Sequence, residues 1–445
     1  MTHPAPALSD DLGNVIEAVL DNAREFGATA AEASVNLSNG LSVTVRLGEV
    51  ETIEHTRDRG LGITVYIGQR TGSASTSDLS PAAVRETARA ATTIARFTAE
   101  DTCAGLADPD RLAREIPDLD LYHPWHPPAE EAIELARRCE DAARNFDPCI
   151  GNSEGATVAT HEGTGWYANT NGFLGRVSST RMSVSCAVIA QNARGMQRDD
   201  WYTAARARAD LDDVVSVGRR AGERASKRLD ARKVPTCAVP VLFEAPVAAS
   251  LLSHFIGAVR GGSLYRKSSF LLDSLGKPVF AAAIRIHEEP LLRRGTGSTP
   301  FDNEGVATCA RDIVRDGVLQ AYVLDSYSGR KLGMPTTGNA GGVHNLGIDA
   351  TAGGLDELIR KLDRGLLVTD LIGFGVNAVT GDYSRGAAGF WVENGAIQFP
   401  VEEITIAGNL KDMYRGIVAV GSDVDRRGNI RSGSILIERM TIAGE

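Results

Sequence analysis

The stretch CAVPVLFEAPVAASLLSHFIGAV, Cys237 to Val259, contains two apolar patterns in succession. CAVPVLFE is a short, nearly continuous apolar run, typical of a buried strand, and residues 245–259 are long enough to predict a helix. The helix runs into Gly261 and Gly262, where it is expected to end. Before the strand, the polar segment 232–236 interrupts the pattern, so we predict the main domain boundary there.

The chain has 445 residues, 43% of them apolar, and can form two sizeable cores, because single cores stop growing beyond about 250–300 residues. We predict an α+β fold with an N-terminal domain over 1–232, subdivided near 103–128, and a β-rich C-terminal domain with glycine-rich loops over 233–445. In the first domain, residues 31–77 predict an antiparallel meander with turns at 39–40, 48–49 and 59–60. Helices are expected at 10–26, 81–97, 130–146, 210–229, 355–361 and 407–413, and further strands at 155–168 and 172–191.

Charge and cysteine content exclude several classes of protein. The formal charge is −10, from 57 acidic and 47 basic residues, which disfavours nucleic acid and anionic membrane surfaces as partners. The N-terminus, MTHPAPALSDDLGN, has no basic region followed by an apolar run, so we expect a cytoplasmic protein. Six scattered cysteines without C-x-x-C spacing are expected to be reduced thiols.

The segment DSYSGRKLGMPTTGNAGG, Asp325 to Gly342, combines glycines, hydroxyls and cations without a helical or strand period. Its glycines allow close backbone approach, and it also contains Arg330, Lys331 and Asn339. We therefore predict an exposed recognition loop that contributes nothing to the core.

Four long blocks carry a family resemblance. They are the segment just described, FDNEGVAT at 301–308, GFGVNAVTGDYSRGAAGFWVENG at 373–395, and EITIAGNLKDM at 403–413. With them, nearly the whole chain resembles the TldD/PmbA family, specifically its PmbA (TldE) branch. The resemblance implies a subunit that pairs with a TldD-type zinc-dependent peptidase, in a dimer enclosing a cavity that admits unfolded peptides. It also implies roles in leader-peptide removal and antitoxin degradation.

The resemblance shows where in this sequence a zinc-binding motif should be sought. In the TldD branch, a helix after the matching strand carries His-Glu-x-x-x-His, whose histidines bind zinc and whose glutamate serves as general base. Here the matching place, Glu244 to Ala249, is EAPVAA, without histidine. We therefore expect no cofactor in this chain and zinc in the TldD-type partner. His254, further along the helix, is interpreted as partly buried or capping.

The other short motifs in the sequence give little support for a catalytic, metal-binding or phosphate-binding site. The formal nucleophile elbow GNSEG at 151–155 lacks the strand before it and the helix after it that such a turn requires. His161-Glu162 and His287-Glu288 have no second histidine nearby. No phosphate-binding loop occurs.

Polar residues on the glycine-bounded loops form the predicted peptide or partner surface. Two interpretations remain open for it: contact with an extended peptide, or the shaping of turns and a subunit contact. Arg266 and Lys267 either steer an acidic peptide or are simply solvated. Asp302 and Glu304 lack the metal or oxyanion device that acid–base catalysis would need. The full set is Arg266, Lys267, Asp302, Glu304, Tyr327, Arg330, Lys331, Asn339, Tyr383 and Arg385.

Three functions are compatible with these observations. The first is a noncatalytic PmbA/TldE-type component of a TldD/TldE metalloprotease. The second is a peptide-binding or scaffolding homodimer without enzymatic activity. The third is an autonomous peptidase with an unrecognised site.

Overall fold

The computed structural model describes residues 9–444 and shows a mixed α+β fold. Residues 1–8, which begin the N-terminal stretch used to expect a cytoplasmic protein, lie outside the described residues. Among the helices that are described, none is long and apolar enough to cross a membrane. All six cysteines are free thiols.

The first 230 residues build one six-stranded antiparallel sheet, in the order β3-β2-β1-β4-β5-β6. Four helices accompany it. The elements are α1 (Ser9–Glu25), β1 (Ala30–Arg46), β2 (Glu49–Ile67), β3 (Arg70–Thr76), α2 (Pro81–Phe97), α3 (Ala129–Arg144), β4 (Ile150–Asn169), β5 (Leu174–Asn192), β6 (Gly195–Ala205) and α4 (Val214–Lys227).

The meander is present, but two of its three predicted turns are wrong. β1 and β2 pair continuously through Gly40 and Gly60, and the chain turns between these two strands at Leu47 and Gly48, which both have positive φ. Gly40 serves close strand packing instead, because a Cβ there would lie 2.8 Å from the Thr56 hydroxyl and 2.9 Å from the Thr160 carbonyl. Two glycines taken as turn signals therefore lie within long strands.

All four helices cover the same face of this sheet. Along β1, the buried residues alternate with a period of two, so they share a face. Ala31, Ala33 and Val35 pack with α1 and α2, whereas Val43 and Val45 pack with α3 and α4. The opposite face of β1 carries small polar side chains, and no helix of the described chain covers it.

The C-terminal half contains two further sheets. One has the order β10-β9-β8-β11-β16 and the other β14-β13-β12-β7-β17-β15. The elements are β7 (Cys237–Phe243), α5 (Ala245–Val259), α6 (Gly261–Tyr265), β8 (Ile286–Glu288), β9 (Arg311–Arg315), β10 (Val318–Leu319), α7 (Ser326–Leu332), β11 (Leu346–Ile348), α8 (Leu355–Leu362), β12 (Gly365–Ile372), β13 (Asp382–Glu393), β14 (Ala396–Asn409), α9 (Leu410–Arg415), β15 (Ile417–Val420), β16 (Ile430–Arg431) and β17 (Ile435–Ala443).

The larger sheet is closed. β14 pairs with β13 and also with β17, so five strands form a ring. β7 lies in this ring between β12 and β17. Its Val241 and Phe243 pack in the main core with α5, and Leu242 packs on the other face with α8. Burial on both faces explains why the strand is a continuous apolar run.

The prediction that residues 325–342 form an exposed loop is wrong. Residues 326–332 are helical because Asp325 and Ser328 form a capping box and Gly333, with φ of 67°, ends the helix. Ser328 and Asn339 are buried. Hydroxyl and amide groups enter this core because hydrogen bonds within the chain satisfy them.

A cluster of buried charges joins the two halves of the chain. Arg224 on α4 lies 3.0 Å from Asp199 on β6 and 3.0 Å from Glu244, which directly precedes α5. Arg228, the residue directly after α4, pairs with Asp199 and with the partly exposed Asp370 on β12. We call Asp199, Arg224, Arg228, Glu244 and Asp370 the junction cluster.

Helices α3 and α4 cross so closely that Gly218 has no room for a side chain. A Cβ there would overlap the carbonyl oxygen of Cys139. We expect Gly218→Ala to lower the free energy of unfolding by about 2 kcal/mol or more through overpacking. Gly257→Ala is the matched control, since it is also a helix glycine but has open space around it, and should stabilise by about 0.5–1 kcal/mol. Urea unfolding measures both, and equal effects would contradict the tight crossing.

Breaking the junction cluster should be costly because it leaves a carboxylate buried and uncompensated. We expect Arg224→Gln to lower the free energy of unfolding by about 3 kcal/mol. Lys227→Gln on the same helix removes an exposed pair with Glu223 and should change it by about 0.5 kcal/mol or less. Adding Glu244→Gln to Arg224→Gln should recover part of the loss in a double-mutant cycle. Similar losses for the Arg224 and Lys227 variants would refute this role.

Candidate functional site

A large cleft opens on the uncovered polar face of the N-terminal sheet. Its volume is about 710 Å³, and its second wall is the turn from Phe301 to Glu304 in the C-terminal half. Because strand side chains alternate, Glu32, Ser34 and Asn36 of β1 face the cleft. The sheet wall consists mainly of hydroxyls and glycines, with the Asn36 amide and the Tyr167 ring: Ser34, Asn36, Gly62, Thr64, Ser73, Ser75, Gly165 and Tyr167.

Glu32 is the charged group of the sheet wall. The hydroxyls of Tyr66 and Tyr167 donate to its two carboxylate oxygens, at 2.8 and 2.6 Å. Burial, and then the charge of Glu32, raises the pKa of both tyrosines. Sequence reasoning missed this group, because nothing in the pattern shows that tyrosines from β2 and β4 meet a glutamate on β1.

Asp302 shapes the opposite wall. Its carboxylate accepts from the amides of Glu304, Val306 and Ala340, at 2.9 to 3.0 Å. Burial nevertheless raises its pKa to about 6, against the effect of these amides. Asp302 therefore holds the turn in place, and the two acidic residues that the sequence singled out have different environments.

Glu304 lies between two openings. It lines the first cleft and also a second one of about 720 Å³ that contains Tyr66, Tyr327 and Lys331. Burial raises the pKa of Glu304 to about 7; hydrogen bonding by Ser326 opposes this rise, and Asp302 adds to it. A carboxyl group that exchanges protons near neutral pH thus lies at the meeting point of both clefts.

The cationic side chains of α7, Arg330 and Lys331, form hydrogen bonds with another segment of the same chain. The Tyr327 hydroxyl donates to Asp101 at 2.7 Å, and Lys331 donates to the same carboxylate at 3.0 Å. These bonds, with one from the Cys103 amide, lower the pKa of Asp101 to about 2. Arg330 donates to the backbone carbonyls of Cys103, Gly105 and Leu106. The helix therefore attaches the segment 101–106 to the C-terminal half.

The remaining predicted surface residues are scattered. Asn339 is buried and contacts Arg311 and Glu288. Tyr383 is also buried, so the expectation that these two side chains are exposed is wrong. Arg266 and Lys267 are exposed, with Arg266 over the Tyr265 ring. The ten residues do not form one continuous patch, since their burial divides them between core and solvent.

The start of α5 is where a metal-binding motif would lie in the TldD branch. Glu244 is held by Arg224, and the Ala245 amide donates to the Ser434 hydroxyl at 3.0 Å. That hydroxyl donates to Asp423 at 2.6 Å. The polar groups around this helix start thus satisfy one another and offer no set of free nitrogen or sulfur ligands, so they do not fit a zinc ion.

The histidine-containing motifs are separated in space or engaged elsewhere. Within residues 9–444, no three histidine, cysteine or acidic side chains are grouped so that they could hold a metal ion. His126 contacts Glu162 at 3.1 Å, and His123 contacts the carbonyl of Asp120 at 3.0 Å. Ser153 of the formal nucleophile elbow is buried within β4.

Protonation of Glu304 gives a pH-dependent prediction. Its pKa of about 7 in the folded protein exceeds the usual glutamate pKa of 4.5, so the folded state binds more protons between these values and loses stability as the pH rises through that window. We expect Glu304→Gln to raise the free energy of unfolding, relative to the unchanged chain, by about 2 kcal/mol at pH 8. At pH 5.5 the gain should be smaller.

Thermal unfolding from pH 5.5 to 8.5 measures this difference. Glu100→Gln is the control, because Glu100 lines the second cleft but is largely exposed. A Glu304→Gln difference that stays constant with pH would contradict the assignment.

Comparison with known proteins identifies the family. Three domain models match in order: PmbA/TldA metallopeptidase domain 1 over residues 31–95, the central domain over 122–229 and the C-terminal domain over 236–444. Metalloprotease PmbA of Escherichia coli O157:H7 is 50% identical over 97% of this chain and 96% of its own length. The Metalloprotease PmbA homolog of Haemophilus influenzae is 48% identical over 98% and 97%.

Solved structures share the fold. A crystal structure from Bacteroides thetaiotaomicron, 30% identical, superposes with a TM-score of 0.93 over 98% of this chain and 99% of that one. TldE from Thermococcus kodakarensis, 20% identical, gives a TM-score of 0.84 over 97% and 100%. On the sequence relatives and domain models, the chain belongs to the PmbA branch of the PmbA/TldD metallopeptidase family.

Proposed function

We propose that this chain is the PmbA/TldE-type component of a two-subunit zinc peptidase that acts on unfolded peptides in the cytoplasm. In this proposal a TldD-type partner holds the zinc, and this chain forms part of the chamber and of the peptide surface. Leader peptides and antitoxins are the proposed substrates.

The observation that carries the proposal is the chemistry at the start of α5. Glu244 there is the acidic member of a buried junction with Arg224, and the neighbouring amide is bound by Ser434. A catalytic zinc site needs three protein ligands and an open position for water. The local groups instead fix the junction between the two halves, which suits a subunit whose catalytic group lies in another chain.

Two further observations support a pair of unlike subunits. Haemophilus influenzae has a PmbA homolog and a TldD homolog, and both resemble this chain, at 48% and 24% identity. The cleft walls offer hydroxyls, amides and backbone to a ligand. Such walls suit an extended peptide recognised through its main chain.

A second candidate function, a scaffolding homodimer, is favoured by the free edge of β2. Residues 49–59 pair with β1 on one side only, because β3 pairs with β2 only from Leu61 onwards. All eleven of these residues are exposed. An unpaired edge of this length can pair with a second chain.

The test combines three samples: this chain, a TldD-type chain from the same genome, and their mixture. Zinc content and cleavage of an unstructured casein fragment are measured for each. We expect cleavage by the mixture only, with zinc bound to the partner, because this chain lacks a suitable ligand set. A partner variant with the motif glutamate replaced by glutamine controls for contaminating peptidases.

Each alternative predicts a different outcome. Cleavage and stoichiometric zinc with this chain alone would refute the proposal in favour of an autonomous peptidase. A stable homodimer that never associates with the TldD-type chain would support the scaffold instead.

A further inference from the structure

A pocket of about 240 Å³ lies beside the part of β5 that β6 does not cover. β6 pairs with β5 only from Met182 onwards, so residues 174–181 have β4 on one side and no strand of the described chain on the other. The segment 116–122 lies along this edge, where the Leu121 carbonyl accepts a hydrogen bond from the Thr180 amide at 2.9 Å. The pocket lies between that segment, β5 and Pro300.

The main chain of β5 has unused hydrogen-bonding groups at this pocket. In an antiparallel ladder, residues alternate between pointing their amide and carbonyl toward one neighbouring strand and toward the other. The Thr180 amide points away from β4, and the register of β4 with β5 is regular from Thr180 to Leu174, so Ser178 and Arg176 point the same way. Within residues 9–444, the backbone of neither residue is hydrogen-bonded to another segment. Both residues line the pocket.

The side chain of Arg176 is the cationic group of the pocket. It is half-buried, and its guanidinium lies over the Trp166 ring, 5.5 Å from the centroid. Burial and the hydrogen bond to Glu162 raise the pKa of Tyr122 to about 12, and the charge of Arg176 opposes that rise. The guanidinium therefore lies near Tyr122, which lines the same pocket.

Arg176 has no counter-ion in the part of the chain that the structure describes. Its Nη2 is buried without a hydrogen-bond partner. The Tyr122 hydroxyl donates to Glu162 at 3.0 Å. Asp118 also lines the pocket, but it is exposed, and its carboxylate accepts from the Asp120 amide at 2.8 Å. Because a charge removed from water needs compensation, the unpaired guanidinium indicates that an anion binds here.

The other walls of the pocket indicate what is attached to that anion. They are mainly apolar: Ile116, Pro117, Leu119, Leu121 and Pro300. An extended peptide can pair with an open strand edge through its main chain, and arginine binds a carboxylate through strong, charge-assisted hydrogen bonds. We propose that this pocket binds the free C-terminal carboxylate of an extended peptide. The peptide main chain pairs with Arg176 and Ser178, and an apolar last side chain packs on the walls.

The pocket adjoins the large cleft. Val177 lines both cavities, and Thr299 and Phe301, on either side of Pro300, line the cleft. A peptide in the cleft can therefore reach the pocket. The identification of the anion as a peptide end rests on the proposed function, whereas the existence of an anion site does not. Binding is therefore measured on this chain alone, without partner or cleavage.

The probe is a fluorescein-labelled pentapeptide, Gly-Ser-Gly-Ala-Leu, with a free C-terminal carboxylate, followed by fluorescence anisotropy. The same peptide amidated at its C-terminus tests the carboxylate, and we expect amidation to weaken binding at least tenfold. A version with an N-methylated leucine lacks one main-chain donor and should also bind more weakly. An amidated version ending in Asp-Leu should bind as weakly as the amidated probe, because its carboxylate is on a side chain.

Variants connect binding to Arg176. Arg176→Gln should weaken binding at least tenfold, because it removes the charge that pairs with the carboxylate. Arg176→Lys keeps the charge without the planar pair of donors, so its affinity should be intermediate. Arg220→Gln on α4 is the matched control. Arg220 also lies over a tryptophan ring, that of Trp201, but does not line the pocket, so binding should be unchanged.

Two outcomes would overturn the inference. One is equal affinity for the free and amidated peptides, which needs no variant, and the other is unchanged affinity in a folded Arg176→Gln chain. Displacement of the probe by inorganic phosphate at lower concentration than by acetate would also overturn it, in favour of a phosphate site. If carboxylate binding is found but the two-subunit assay shows no cleavage, the site stands and the proposed function fails.

Discussion

The arrangement of this protein depends on the pairing of Arg224 with Asp199 and Glu244 at the junction of its halves. Charges removed from water must be paired, and here the pairs come from α4, β6 and the residue before α5. Trp201 adds to the junction, because the guanidinium of Arg224 and that of Arg427 lie over its ring. This fixed contact sets the position of the start of α5 relative to the N-terminal sheet.

The same junction gives the start of α5 a structural role in this chain. Glu244 directly precedes α5, where the TldD branch has its zinc-binding motif. In this chain it stabilises the junction by pairing with the buried Arg224. The two walls of the large cleft do not depend on that position: the polar face of the N-terminal sheet and the turn held by Asp302 lie elsewhere.

Much of the fold could be predicted from the sequence. The strand 237–243 and the helix 245–259 were predicted correctly because both are apolar and bounded by clear breaks. The turns at 39–40 and 59–60 were predicted wrongly because both glycines lie within long paired strands, and at Gly40 the missing side chain allows close packing. The helix 326–332 was missed because the side chains of Asp325 and Ser328 stabilise its start through local hydrogen bonds. The spacing of apolar residues along the sequence does not show such bonds.

The candidate site was less predictable for a related reason. Asp302 and Glu304 were identified, but the partners that determine their environment come from distant strands. The contacts of Glu32 with Tyr66 and Tyr167 and the ring contact of His254 with Tyr383 have no local signal in the sequence. Residue type was also misleading, because Asn339 and Tyr383, which we expected at the surface, are buried in the core.

The closed ring of strands has a consequence for how the protein is made. β7 pairs with β17 and β12, and β14 is joined to β17 as well. β17 leaves the ribosome roughly 200 residues after β7, which at about 5–20 residues per second is a delay of about 10–40 seconds. During that time β7 and α5 are synthesised but cannot complete their core. The C-terminal half is therefore exposed to chaperones and to aggregation until β17 has been synthesised, whereas the N-terminal sheet has all six strands by residue 205.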